Sequence, residues 1–147
     1  MSFTDPAPLM EDLDGWLEEL NDRAPDAVIV VEGPKDERAL LRLGVIVPIA
    51  VLNQGKGIGD ALASIAGSND SKGAPHRTVI ILTDWDRKGG QLANRIMKAC
   101  LNLNIPFDND ARRKLAFLTG KWIRDVESLD TLVMKLDADK AEGSFIG

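Results

Sequence analysis

Thr78-Val-Ile-Ile-Leu-Thr83 is a β-branched apolar run that stops abruptly at Asp84, with Trp85, Asp86, Arg87, Lys88 and two glycines directly after it. A run of this kind suits a strand buried on both faces, the situation in a parallel sheet covered by helices. A buried strand gives no reason to place two carboxylates at its end, whereas a bound cation does. The stretch from Thr78 to Gly90 therefore constrains both the fold class and the place where chemistry is expected.

A second run of the same kind, Ala27-Val-Ile-Val-Val31, ends in Glu32-Gly33-Pro34. Pro34 suits the first turn of a following helix, and Asp36 and Glu37 suit its positive end. Ala39, Leu40 and Leu43 continue that helix to Gly44, a natural stop. A short strand is expected over 47–52, then the glycine-rich turn Asn53-Gln-Gly-Lys-Gly-Ile-Gly59, then a helix near 60–66. Residues 67–77 read as a polar loop. After the run at 78–83 the pattern predicts a helix over about 90–102, with Leu92, Ile96, Cys100 and Leu103 along one side. Further helices are expected at 108–118 and 125–136. At the other end, Leu9, Leu13, Trp16, Leu17 and Leu20 fall on one face of an amphipathic helix over 7–22.

Alternating strands and helices imply an α/β sandwich with parallel strands and right-handed crossovers. All strands then end on one edge of the sheet, where ligands bind. Glu32, the turn carrying Lys56, and the segment from Asp84 to Lys88 should meet there. The organisation expected is an acidic N-terminal helix in residues 1–26, the α/β unit in 27–105, and a helical extension in 106–147 packing on the same domain.

Charge bears on the partner. The net charge is −5, yet residues 1–26 hold eight acidic groups and one basic group, so the remainder carries +2. The acidity belongs to the N-terminal segment, and the mildly basic body is compatible with a polyanion. One cysteine and one histidine exclude a Cys/His zinc site and an internal disulfide. No run approaches the roughly 20 apolar residues of a membrane helix, and the first residues lack the pattern of a secretion signal, so a cytoplasmic protein without membrane association is expected.

In an extended segment residues two apart point the same way, about 6.5–7 Å apart at Cα. Asp84 and Asp86 so placed could share one hard cation, directly or through water, and Mg²⁺ is held by one or two carboxylates plus substrate phosphate. Without a cation, three acids on one edge would raise one another's pKa values. Lys35, Lys56, Arg87 and Lys88 are candidates for holding phosphate, Lys56 above all because its turn precedes a helix. Exposed solubilising charge is the alternative for each. Trp85 points away from its aspartate neighbours on the alternation argument, toward the core. Asp125 and Glu127 read as helix-start acids that could also add a ligand.

Glu32-Gly33-x-x-Asp36 followed by Asp84-x-Asp86-x-x-Gly89 resembles the Toprim domain, shared by topoisomerases, bacterial primases and a nuclease that matures 5S ribosomal RNA. The fuller runs Val-Glu-Gly-Pro-Lys-Asp-Glu-Arg and Leu-Thr-Asp-Trp-Asp-Arg-Lys-Gly are similar to the small stand-alone Toprim proteins of archaea. The resemblance implies a Rossmann-like fold with a four-stranded parallel sheet. It also implies Glu32 as general acid or base, Asp84 and Asp86, with Glu32, as the Mg²⁺ site (Mn²⁺ a substitute), and Gly33 and Gly89 as motif glycines. There are departures. Topoisomerases of the family have glutamate where Lys88 stands and need a tyrosine nucleophile, and this chain has no tyrosine. A primase's zinc module and larger scaffold are missing, and so is a Gly-x-x-x-x-Gly-Lys-Ser/Thr loop.

The expectation is a Mg²⁺-dependent nuclease-like phosphodiesterase acting on nucleic acid, RNA favoured over DNA. The alternatives are a non-catalytic binding module of a larger machine, with a protein partner, and a primase-like nucleotidyl transferase working with a separate subunit.

Overall fold

Three apolar runs and one short extended segment assemble a single sheet. The computed structural model describes residues 5–52, 55, 57–67 and 77–146, with side chains to 141. In chain order the elements are α1 (Ala7–Asn21), β1 (Ala27–Val31), α2 (Pro34–Leu43), β2 (Ile49–Val51), α3 (Ile58–Ala66), β3 (Thr78–Ile81), α4 (Arg87–Leu103), β4 (Phe107–Asp108), α5 (Asp110–Thr119) and α6 (Leu129–Ile146). The sheet order is β2-β1-β3-β4 and every pairing is parallel. The α/β sandwich with a four-stranded parallel sheet is therefore the observed fold.

All five residues of β1 are buried, which explains their unbroken apolar character. Alternation divides them between two cores. Ile29, Val31, Ile80 and Leu82 face α1, α2, α5 and α6, where Leu20, Leu40, Leu115 and Leu136 are buried. Val28, Val30, Val79 and Ile81 face α3 and α4, against Leu62, Ile96 and Cys100. Each fully buried side chain of this size contributes about 1.5–3 kcal/mol of transfer free energy. Trp16 anchors α1 in the first core, its indole donating to the Ala111 carbonyl at 2.9 Å.

Helix ends follow local chemistry. Pro34 occupies the first turn of α2, and Gly44 ends it at φ +98°, a left-handed conformation that favours glycine. Five elements differ in their bounds from the sequence expectation. β2 and β3 are shorter than 47–52 and 78–83, the chain leaving the ladder before its apolar residues run out. α4 starts at Arg87 rather than near residue 90, because the Asp86 carboxylate caps it. α5 starts at Asp110 rather than 108, since Phe107 and Asp108 are taken up as β4. α6 starts at Leu129 rather than 125, because Asp125 closes a turn by accepting from the Ser128 amide at 2.8 Å.

Candidate functional site

The register of β1 and β3 brings Glu32 and Asp84 together. Val30 lies opposite Ile81, so the residues just beyond each strand emerge side by side. The Asp84 amide donates to Glu32 Oε2 at 3.0 Å, across 52 residues of sequence. Asp84 in turn accepts, through Oδ1, from the Val126 amide at 2.9 Å. Asp36, on the first turn of α2, is buried and accepts from the Gly33 amide at 3.0 Å. The negative charge of Glu32 acts on both Asp36 and Asp84.

This crowding has a measurable electrostatic signature. Asp84 is pushed up to about 7, first by burial, then by the nearby charges of Glu32 and Asp36, against the stabilising Val126 amide. Burial likewise raises Asp36, with Glu32, Glu127 and Asp125 adding to the effect and the Gly33 amide opposing it. Arg112, on α5, is the cation set against this cluster. Burial lowers its pKa, while Glu32, Asp84 and Asp86 favour its charge. Its guanidinium donates to the Thr83 carbonyl at 3.1 Å and to the Asp84 carbonyl at 2.9 and 3.2 Å. Arg112 thus clamps the backbone beneath the acids.

Asp86 stands differently. β3 ends at Ile81, so the chain is no longer a ladder strand when it reaches the aspartates. Asp86 is exposed, and its Oδ1 accepts from the Gly89 amide at 2.7 Å as the cap of α4. The two aspartates have different partners, the Val126 amide for Asp84 and the Gly89 amide for Asp86. Trp85 packs toward the first core and donates from its indole to the Ile123 carbonyl at 2.9 Å. Thr83, buried, donates to the Gly89 carbonyl at 2.8 Å and ties the strand end to the helix.

The two motif glycines are not equivalent. A Cβ on Gly89 would sit 1.9 Å from the Asp84 carbonyl oxygen, so only glycine fits there. A Cβ on Gly33 would meet nothing within 4 Å, at an ordinary extended φ of −148°. Of the phosphate-binding candidates, Lys35 is exposed at the start of α2, and Arg87 and Lys88 are exposed in the first turn of α4, on the other face of the sheet. Lys56 lies outside the described residues. Sequence reasoning missed Arg112 as part of the site, and it read Asp36 as a helix-start acid and a motif position without giving it a role in the site. An Arg within a basic helical cluster gives no sign that it will turn inward.

All the donors gathered here are carboxylate oxygens, the chemistry that suits a hard divalent cation. Among the described residues no three Asp, Glu, His or Cys side chains converge as a ready-made metal cage. A site of one or two carboxylates completed by water and substrate phosphate fits Mg²⁺, which is seldom held by an all-protein cage.

A parallel α/β sandwich with acids at the carboxyl edge of two adjacent central strands places the chain among proteins that bind ligands at that edge. Comparison with known sequences narrows the class. The Toprim domain matches residues 27–117. The chain is similar to a UPF0292 protein of Methanosarcina acetivorans, 37% identical over 112 residues, which cover 75% of this chain and 71% of the relative. A UPF0292 protein of Thermococcus onnurineus is 36% identical over 122 residues, 82% of this chain and 85% of the relative. A protein of known structure from Aquifex aeolicus superposes with a TM-score of 0.62 at 26% identity, covering 79% of this chain and 96% of that one. The chain belongs to the Toprim family, and its relatives here include small archaeal UPF0292 proteins. No helix among the described residues is long and apolar enough to cross a membrane.

Proposed function

We propose that the protein is a Mg²⁺-dependent phosphodiesterase acting on nucleic acid, with RNA favoured over DNA. One observation carries this reading. Glu32 and Asp84 lie side by side at the ends of adjacent strands, joined by the 3.0 Å bond from the Asp84 amide, in a cluster where the guanidinium of Arg112 is engaged with backbone carbonyls. Such a cluster is unfavourable until a cation enters it.

Asp84 would hold Mg²⁺ (or Mn²⁺), with Glu32 and the free portion of Asp86 at hand. The bound ion would polarise the phosphate and offset developing negative charge. Glu32 would move a proton to or from the attacking water or the leaving oxygen. Arg112 and the Val126 amide would keep the Asp84 carboxylate in place. Lys35, Arg87 and Lys88 would meet the phosphates from both faces of the sheet. Incubation of the protein with a panel of structured and single-stranded RNA and DNA in Mg²⁺ and Mn²⁺ tests the reading. Cleavage that needs the metal and disappears in Glu32→Gln supports it. No cleavage above that variant across the panel rejects it.

A second reading has its own support. One oxygen of Asp86 is taken up in capping α4, which leaves Glu32 and Asp84 as the carboxylates at the strand ends. Under that reading the protein binds nucleic acid or phosphate without turnover, as a module of a larger machine. Asp84→Asn would then weaken binding while wild type shows no cleavage.

A further inference from the structure

Between α2 and α6 runs a groove of about 750 Å³. Four cations line it, Lys35, Arg38, Arg42 and Lys135, with one carboxylate, Glu127, and the half-buried indole of Trp122. Arg42 lies 3.2 Å from Asp130, its own side chain 70% exposed. Asp130 is the more covered partner, at 13% side-chain exposure, so the guanidinium end of the pair is the part open to solvent. Lys121 Nζ lies over the Trp122 ring, 5.7 Å from its centroid. This density of positive charge stands out in a chain of net charge −5.

The groove adjoins the acidic site. Lys35 precedes Asp36 on α2, and Glu127 directly follows Val126, whose amide holds Asp84. The charge of Glu127 is felt at Asp36. The groove thus has chain neighbours of the acidic site, Lys35 and Glu127, in its lining.

We infer that this groove is the track for a single-stranded nucleic acid, its phosphates along the cations of α2 and α6 and a base resting on Trp122. Cationic grooves with an aromatic platform bind single strands because the groove follows the backbone and unpaired bases expose their faces for stacking. A duplex offers the phosphates but not the faces. The volume matches a ligand of a few nucleotides, within the roughly 300–1,000 Å³ of small-ligand sites. That the strand is led to Glu32 and Asp84 rests on the site reading above. The groove itself stands on its charge, its indole and its position.

Binding by the full chain, measured by fluorescence anisotropy in EDTA, separates the two. The probes are labelled strands of about 12 nucleotides, as RNA, as DNA and as duplex. Single strands should bind at least tenfold more tightly than duplex, and the RNA and DNA arms identify the preferred sugar. Arg38→Ala combined with Lys135→Ala should weaken binding tenfold or more at about 0.1 M salt and lower the salt slope by about 1.4, near 0.7 per lost phosphate contact. Arg95→Ala combined with Lys98→Ala, exposed on α4 across the sheet, should leave affinity within about twofold. Circular dichroism establishes that both pairs fold. Equal losses in the two pairs, preference for duplex, or no binding by wild type overturns the inference. If the Arg38/Lys135 pair binds like wild type while Glu32→Gln still stops cleavage, the groove fails and the site reading stands. If the groove binds strands and wild type cleaves nothing, the groove stands and the site reading fails.

Discussion

The turns from β1 into α2 and from β3 into α4 solve one problem in two ways. Each takes the chain from the end of a buried parallel strand into a helix, at the same edge of the sheet. In the first, the capping acid lies inside the helix and reaches back, Asp36 accepting from the Gly33 amide. In the second, the acid stands before the helix and reaches forward, Asp86 accepting from the Gly89 amide. The first turn is roomy around its glycine, and the second leaves no space for a Cβ. Each turn assigns one carboxylate to hold the backbone and leaves another, Glu32 or Asp84, beside its counterpart. Capping of the two helices falls to Asp36 and Asp86, and the strand-end pair is Glu32 and Asp84, although the four look alike in sequence.

Substitutions can break this division, and under the proposed function the largest effect is expected at Glu32. Glu32→Gln should lower metal-dependent cleavage by about 10²–10⁴-fold in single-turnover assays, the range for removing a positioned acid or base. Retention of full activity would remove Glu32 from the chemistry. Next come the glycines. Gly89→Ala should cost about 1–3 kcal/mol or more in urea unfolding and displace Asp84, while Gly33→Ala should stay within about 0.5 kcal/mol. Similar losses at both would mean that the turns are equivalent after all. Asp86→Ala should cost about 1 kcal/mol through the lost cap, and Asp86→Asn much less. If Asp86→Asn keeps stability but loses Mg²⁺-dependent activity, the capping acid has a second duty.

A separate effect is in the pH dependence. Asp84 is raised from an ordinary 3.8 to about 7 in the folded state, so the folded form holds its proton more tightly than the unfolded form. Its contribution to stability is fully present below about 4 and is lost as pH rises toward 7. Without divalent cation, wild type should lose stability relative to Asp84→Asn across that window, and Mg²⁺ should restore it. Parallel melting curves of the two proteins from pH 4 to 8 give the answer, and identical slopes would show that Asp84 ionises as an ordinary acid.

Much of this architecture can be read from the residues because buried parallel strands need continuous apolar runs. Ala27–Val31 and Thr78–Ile81 announce themselves, and the topology then places Glu32 and Asp84 together. β4 carries no such signal, since two residues, Phe107 and Asp108, form no period. The fate of Asp86 was hidden for a related reason. Asp86 lies beyond the ladder, since β3 has already ended at Ile81, and its carboxylate is drawn into capping α4. Arg112 could not be told from Arg113 and Lys114 beside it, because burial of one helical cation depends on what the helix packs against. Asp36 reads correctly as a helix-start acid, yet its burial beside Glu32 comes only from the assembled turn.

The segment from 83 to 85 is held from outside the sheet. Arg112 grips the carbonyls of Thr83 and Asp84, the Val126 amide holds the Asp84 carboxylate, and the Ile123 and Arg124 carbonyls accept from the Trp85 indole and amide. A fragment trimmed to the sheet and its first four helices would keep both acids and lose every one of these braces. The later helices are the jig in which Asp84 is set, and any shortened or grafted version of this protein has to carry them along.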